Sequence, residues 1–223
     1  GRAIVNLDEN KIPQWEIQEE CAYDYIESNK NIVDLIDKHT KCLYFGTLSQ
    51  RNSVSRSTIQ SLFSKDTIYF CDLNIRQNFY NREIIENSLM AASILKLNIE
   101  ELQLVSQLLF DYKLWDEDYI IYKIMKNYSN DLMCVTKGRD GASLYAHNYE
   151  SVIKPYYIRV SDTIGAGDAF AAILCLGYLK KMDLHRINEL CIEFSQKICK
   201  IKGALPKDKS FYDDIIKELH YAK

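Results

Sequence analysis

The chain has 223 residues, 47% of them hydrophobic and 26% charged, with a formal net charge of -3. That balance supplies a core for one domain, or for one domain with a small appendage, and lacks the cationic footprint of nucleic-acid binding. Only 8 Gly and 3 Pro are present, which excludes collagen-like, linker-like and low-complexity classes, and no stretch of about 18 apolar residues marks a membrane span.

In chain order, Ala3–Leu7 and Gln14–Ile17 flank the polar run Asp8 to Lys11, a hairpin signal. A lone hairpin is marginal in water, so it should cover something. Two readings are open: it covers a ligand cleft or a partner subunit, or it is an edge hairpin of the main sheet. From Lys41 the pattern alternates. Lys41–Phe45, Thr67–Asp72, Ser93–Leu97 and Leu132–Thr136 are short apolar runs and predict buried strands. Between them Ser55–Phe63, Arg82–Met90, Glu100–Phe110 and Asp116–Tyr128 predict helices, with Ser53 or Ser55 capping the first and Asp116 the last. Alternation of this kind implies an α/β fold with a parallel sheet covered on both faces. Gly141–His147 and Tyr156–Val160 then predict two strands without an intervening helix, an antiparallel edge. Helices over Gly165–Leu179, Leu184–Lys200 and Phe211–Leu219 complete the chain. No internal repeat is visible.

Half of the glycines lie between Gly138 and Gly167, which marks a place where the backbone must do something side chains obstruct. Within it, a β-rich run ends at Asp162 and Gly165-Ala166-Gly167-Asp168 opens a strongly apolar helix. A helix N-terminus carries unsatisfied N–H donors and partial positive charge, and small residues let those donors approach an anion. Asp168 alone is an ordinary capping residue. Directly after an anion-binding turn it suits general-base catalysis. It would accept a proton from an attacking hydroxyl while the N–H groups hold developing phosphoryl charge.

The longer string Asp162-Thr163-x-Gly165-Ala166-Gly167-Asp168-x-Phe170 resembles the second signature of the ribokinase/PfkB carbohydrate kinase family, closest to its fructokinase-like branch. Other stretches resemble the family in order. Asn98 and Glu101 are similar to its Asn-x-x-Glu motif. Thr136, Gly138 and Gly141 are similar to its nucleotide loop. Asp72, Asn74 and Arg76 are similar to its Asp-x-Asn-x-Arg stretch. Gly203 and Ala204 are similar to a segment beside the adenine. Ala22-Tyr23-Asp24, the Gly46 to Arg51 turn and Asp72 to Phe79 resemble the fructokinase-like branch in particular. On their own residues, Asn98 and Glu101 are also a capping pair, and Thr136 to Gly141 is also a strand followed by a glycine turn.

The resemblance implies a ribokinase-like α/β fold with a mostly parallel sheet, helices on both faces and a small β lid. Residues 1–25 would form the lid hairpin and its return, and residues 26–223 the kinase core. It implies an ATP-dependent sugar kinase that phosphorylates a primary hydroxyl, fructose being the foremost acceptor. Asp168 would be the base, and Gly165, Ala166 and Gly167 the anion hole. Asn98, Glu101, Thr136, Gly138, Gly141 and Gly203 would serve ATP, and Asn74 and Arg76 the acceptor. Glu101 would serve magnesium, and Asp162 with the Ile164 carbonyl a potassium ion. Two alternatives stand beside it: a non-catalytic nucleotide binder, or a kinase of the same fold acting on a nucleoside, vitamin precursor or keto-sugar acid.

Relatives carry a further segment before the lid, with core strands and sugar-binding residues, so a parent protein longer than 223 residues is expected. A homodimer through the lid, no membrane association and a cytoplasmic location are also expected. The seven Cys are scattered without a CxxC pair and are expected to be reduced, and the four isolated His carry no catalytic role.

Overall fold

The computed structural model describes residues 3–7, 13–63, 67–112, 114–147 and 149–221. The expected turn at Asp8 to Lys11 lies outside them. Strands β1 (Ala3–Leu7) and β2 (Pro13–Ile17) pair antiparallel, with Val5 opposite Trp15. They form a two-stranded sheet of their own, so the reading of an edge hairpin on the main sheet is corrected. A helix unforeseen in the sequence follows, α1 (Lys30–His39), capped where the Asn29 side chain accepts from the Ile32 N–H.

The main sheet has six strands in chain order: β3 (Cys42–Phe45), β4 (Ile68–Asp72), β5 (Ile94–Asn98), β6 (Leu132–Thr136), β7 (Ala142–Ala146) and β8 (Tyr149–Ile153). The first four run parallel because helices carry the chain back between them: α2 (Ser53–Ser61), α3 (Arg82–Ala91), then α4 (Ile99–Phe110) with α5 (Glu117–Tyr128). Only a short turn joins β6 to β7, too short for a crossover, and β7 and β8 therefore pair antiparallel. Helices α6 (Ala166–Leu179), α7 (Leu184–Cys199) and α8 (Asp213–Tyr221) end the chain.

The parallel strands are apolar throughout because both faces are covered. Alternate residues serve different cores. Phe70, Ile94, Leu132 and Cys134 pack with α6, α7 and α8. Cys71, Leu95, Met133 and Val135 pack with α3, α4 and α5. Among the described residues, no helix is long and apolar enough to cross a membrane. All seven cysteines are free.

Two local expectations are corrected. The cap of α2 is Asn52, whose side chain accepts from the Val54 N–H. Ser55 is instead buried, and its hydroxyl accepts from the Ile26 N–H. Residues Tyr156–Val160 form no strand. The chain turns at His147, where φ is 40°, and pairs at once as β8. Tyr156 and Tyr157 are then left in solvent at 82% and 99% exposure.

Candidate active site

The candidate residues gather at the carboxyl ends of the parallel strands, where open α/β sheets build their sites. Asp72 ends β4, Asn98 ends β5 and Thr136 ends β6. Asp72 stands in register with Lys96, and Asn98 with Thr136.

Gly165 is the N-cap of α6 at φ 81°, a left-handed conformation suited to glycine. A Cβ there would stand 2.8 and 2.9 Å from the Cβ and Cα of Ala204. This contact brings the 199–204 segment onto the turn. Further bonds tie the two: the Ser161 and Asp162 N–H groups donate to the Cys199 carbonyl, and the Gly203 N–H donates to Asp162 Oδ2 at 3.0 Å. Asp162 Oδ1 accepts from the Ile164 N–H. The Ile164 and Gly203 amides hold the Asp162 carboxyl below the usual carboxylate range.

Asp168 is the third residue of α6 and its side chain is exposed. The Ala166 N–H already donates to the Thr163 carbonyl. The N–H groups of Gly167 and Asp168 fall in the first turn, where no intrahelical acceptor precedes them. They are the donors best placed for an anion.

Beneath this turn lies a network of which the motifs singled out Asp72 but neither Lys96 nor Tyr44. The Lys96 ammonium, 6% exposed, donates to Asp72 Oδ2 at 2.7 Å. The Tyr44 hydroxyl donates to the same oxygen at 2.9 Å. Lys96 Nζ also stands 4.0 Å from where a Cβ on Gly167 would be. Burial pushes the Tyr44 hydroxyl pKa up, and the charges of Asp72 and Asp168 push it further. One cation and two carboxylates therefore share this corner. The available signal was a lysine inside an otherwise apolar strand, since charged residues are almost never fully buried unless paired.

Asn98 and Glu101 form a reciprocal cap on α4. Glu101 N–H donates to Asn98 Oδ1 at 2.7 Å, and Asn98 N–H donates to Glu101 Oε2 at 2.9 Å. Glu101 Oε1 accepts from the Ile75 N–H at 2.7 Å, which ties the loop after β4 to α4. Burial pushes the Glu101 carboxyl up, against the pull of the Asn98 and Ile75 amides. Asn74 is half-buried in left-handed backbone, and Arg76 is exposed. At Gly141 a Cβ would overlap the Ile153 carbonyl, so this glycine seats the β6–β7 turn against β8. At Gly138 and Gly203 a Cβ would meet nothing within 4 Å. Both border open space.

Among the described residues, no group of three or more His, Cys, Asp or Glu could hold a metal ion. The Glu101 carboxylate and the Asn98 amide oxygen, hard oxygen donors side by side at the end of β5, are of the kind that suits a divalent ion such as Mg2+.

The pfkB family carbohydrate kinase profile matches residues 27–207. A 5-dehydro-2-deoxygluconokinase from Clostridium botulinum is 26% identical over 193 residues, covering 82% of this chain and 51% of that protein. The chain spans about half the length of the curated relatives it matches over most of its own length. An uncharacterized sugar kinase from Pyrococcus horikoshii superposes with a TM-score of 0.76 at 22% identity, covering 99% of this chain and 70% of that one. A fructokinase from Xylella fastidiosa, solved with bound ATP, gives a TM-score of 0.76 at 17% identity, covering 98% of this chain and 73% of that one.

Proposed function

The chain belongs to the pfkB family of carbohydrate kinases, and from that premise we propose that it carries the catalytic half of an ATP-dependent sugar kinase. The observation that carries the reading is the α6 N-terminus. There an exposed carboxylate, Asp168, shares one turn with open N–H donors above a buried lysine.

Asp168 accepts the proton of the acceptor's primary hydroxyl as the new oxygen–phosphorus bond forms. The electron pair of the breaking bond leaves with ADP. The Gly167 and Asp168 N–H groups face the phosphoryl oxygens, with Lys96 adding positive charge from below. General-base catalysis of this kind contributes about 10²–10⁴-fold, and a single anion-hole donor on the order of 10²–10³-fold. Thr136, Gly138 and Gly203 line the nucleotide, and Asn98 and Glu101 would help hold Mg2+, which would neutralise charge on the phosphates. ATP supplies the transferable phosphoryl group. Asp162, whose two oxygens each keep a lone pair beyond the backbone N–H they accept, and the Ile164 carbonyl would be the groups to hold a potassium ion.

The acceptor is a sugar or sugar acid with a primary hydroxyl. Fructose is one reading, supported by the fructokinase neighbour. A deoxy keto-sugar acid is the second, supported by the name of the Clostridium relative. The test is ADP release by the natural full-length protein with Mg-ATP and a panel of hexoses, keto-sugar acids and nucleosides. Acceptor-dependent release with a sugar or sugar acid is expected. Nucleotide binding with no release from any acceptor would overturn the kinase reading, and release with nucleosides alone would overturn the acceptor class.

A further inference from the structure

Three stretches of sequence that the catalytic reading leaves unused converge on one guanidinium. Arg51 follows β3. Its Nε donates to Asp24 Oδ1 at 2.7 Å, and its Nη2 donates to Asp24 Oδ2 at 2.7 Å. The same Nη2 donates to the Gln18 carbonyl at 2.7 Å, one residue past β2. The guanidinium carbon lies 4.3 Å from the centre of the Phe79 ring and 5.3 Å from that of Tyr23. The side chains of Arg51 and Asp24 are only 7% and 2% exposed. Asp24 Oδ2 also accepts from the Cys21 N–H, which closes the turn after the hairpin. A second tie lies alongside: the Ile17 N–H donates to Gln77 Oε1 at 3.1 Å.

Among the described residues the hairpin has no ladder to the main sheet. Among the described residues these bonds help join its β2 end to the core. They join it to the loop after β4. That loop leaves Asp72, the partner of Lys96 and Tyr44, and carries Asn74 and Arg76 before it reaches Gln77 and Phe79. A buried ion pair is a weak device for stability, because desolvation offsets most of its attraction. It is a strong device for geometry. The planar fork of arginine fixes a carboxylate in two parallel bonds and stacks flat on a ring at the same time, whereas lysine is a point charge without that fork.

We propose that Arg51 is a positioning residue for the acceptor side of the site. It holds the β1–β2 hairpin and the loop carrying Asn74 and Arg76 in one fixed arrangement, without touching the reacting atoms. The inference rests on the kinase reading for its consequence in turnover, and on geometry alone for its consequence in the free protein.

The test uses Arg51→Lys and Arg51→Met in the natural full-length protein, with two readouts. In steady-state kinetics, both variants are expected to raise the acceptor KM at least tenfold while the ATP dissociation constant stays within twofold. In amide hydrogen exchange without ligand, protection is expected to fall at 15–24 and 73–80 and to stay unchanged in α6 and α7. An unchanged acceptor KM with unchanged exchange overturns the proposal. So does a uniform loss of protection, which would make Arg51 a general stabiliser. If the wild-type protein phosphorylates no acceptor, the kinase reading fails, and the exchange pattern still decides whether Arg51 fixes the hairpin and loop.

Discussion

Lys96 shows how one residue can be invisible in a motif and central in a structure. It sits within Ile94–Asn98, a strand whose other early members are fully buried, and its charge is matched by Asp72 on the neighbouring strand. A sequence shows the lysine in its apolar run. It does not show which strand lies beside it, and the partner is 24 positions away. Removing one member of a buried pair leaves the other charge unmatched, at a cost of about 3–5 kcal/mol. Lys96→Met should therefore lower unfolding stability by that order in urea titration. Adding Asp72→Leu should recover much of the stability, because an apolar pair can replace a buried ion pair. Turnover should stay lost in the double variant, since the cation beneath Gly167 is gone. Turnover that returns with stability would show that Lys96 is structural only.

At the scale of elements, the start of α6 was the most legible part of the site. Clustered glycines beside an aspartate and an apolar helix announced a tight turn into a helix, and that turn is there. The cause of Gly165 was not legible, because Ala204 lies 39 positions later and reaches it only through the α6–α7 fold-back. Gly165→Ala would place a side chain in left-handed backbone, at about 1–2 kcal/mol, and drive its Cβ into Ala204. We expect a lower melting temperature and a fall in turnover larger than the stability loss explains, with acceptor KM little changed. A variant of wild-type stability and turnover would show that the turn relaxes freely. Helix α1 went unforeseen. Its signal was present, with Ile32, Val33, Leu35 and Ile36 at helical spacing behind the Asn29 cap, but only Ile36 ends fully buried, so the helix lies against the fold and adds little to its core.

For the whole molecule, strand–helix alternation was sufficient to read a covered parallel sheet, because buried parallel strands have to be apolar on both faces. The independent hairpin was not readable from pattern, since an edge hairpin and a separate one obey the same alternation. Nor was the extended run at 156–160 separable from a strand by composition. What the fold adds is convergence. Strand order brings Asp72, Lys96, Asn98 and Thr136 to adjacent strand ends, and the return of α6 sets Asp168 above them. In the proposed kinase this carboxylate takes the acceptor's proton. The most direct measurement compares ADP release by the natural full-length protein and its Asp168→Asn variant, with nucleotide affinity measured beside it. We predict a fall in kcat of about 10²–10⁴-fold with ATP affinity within a few-fold of wild type. Wild-type turnover in Asp168→Asn would contradict a proton-accepting role for Asp168.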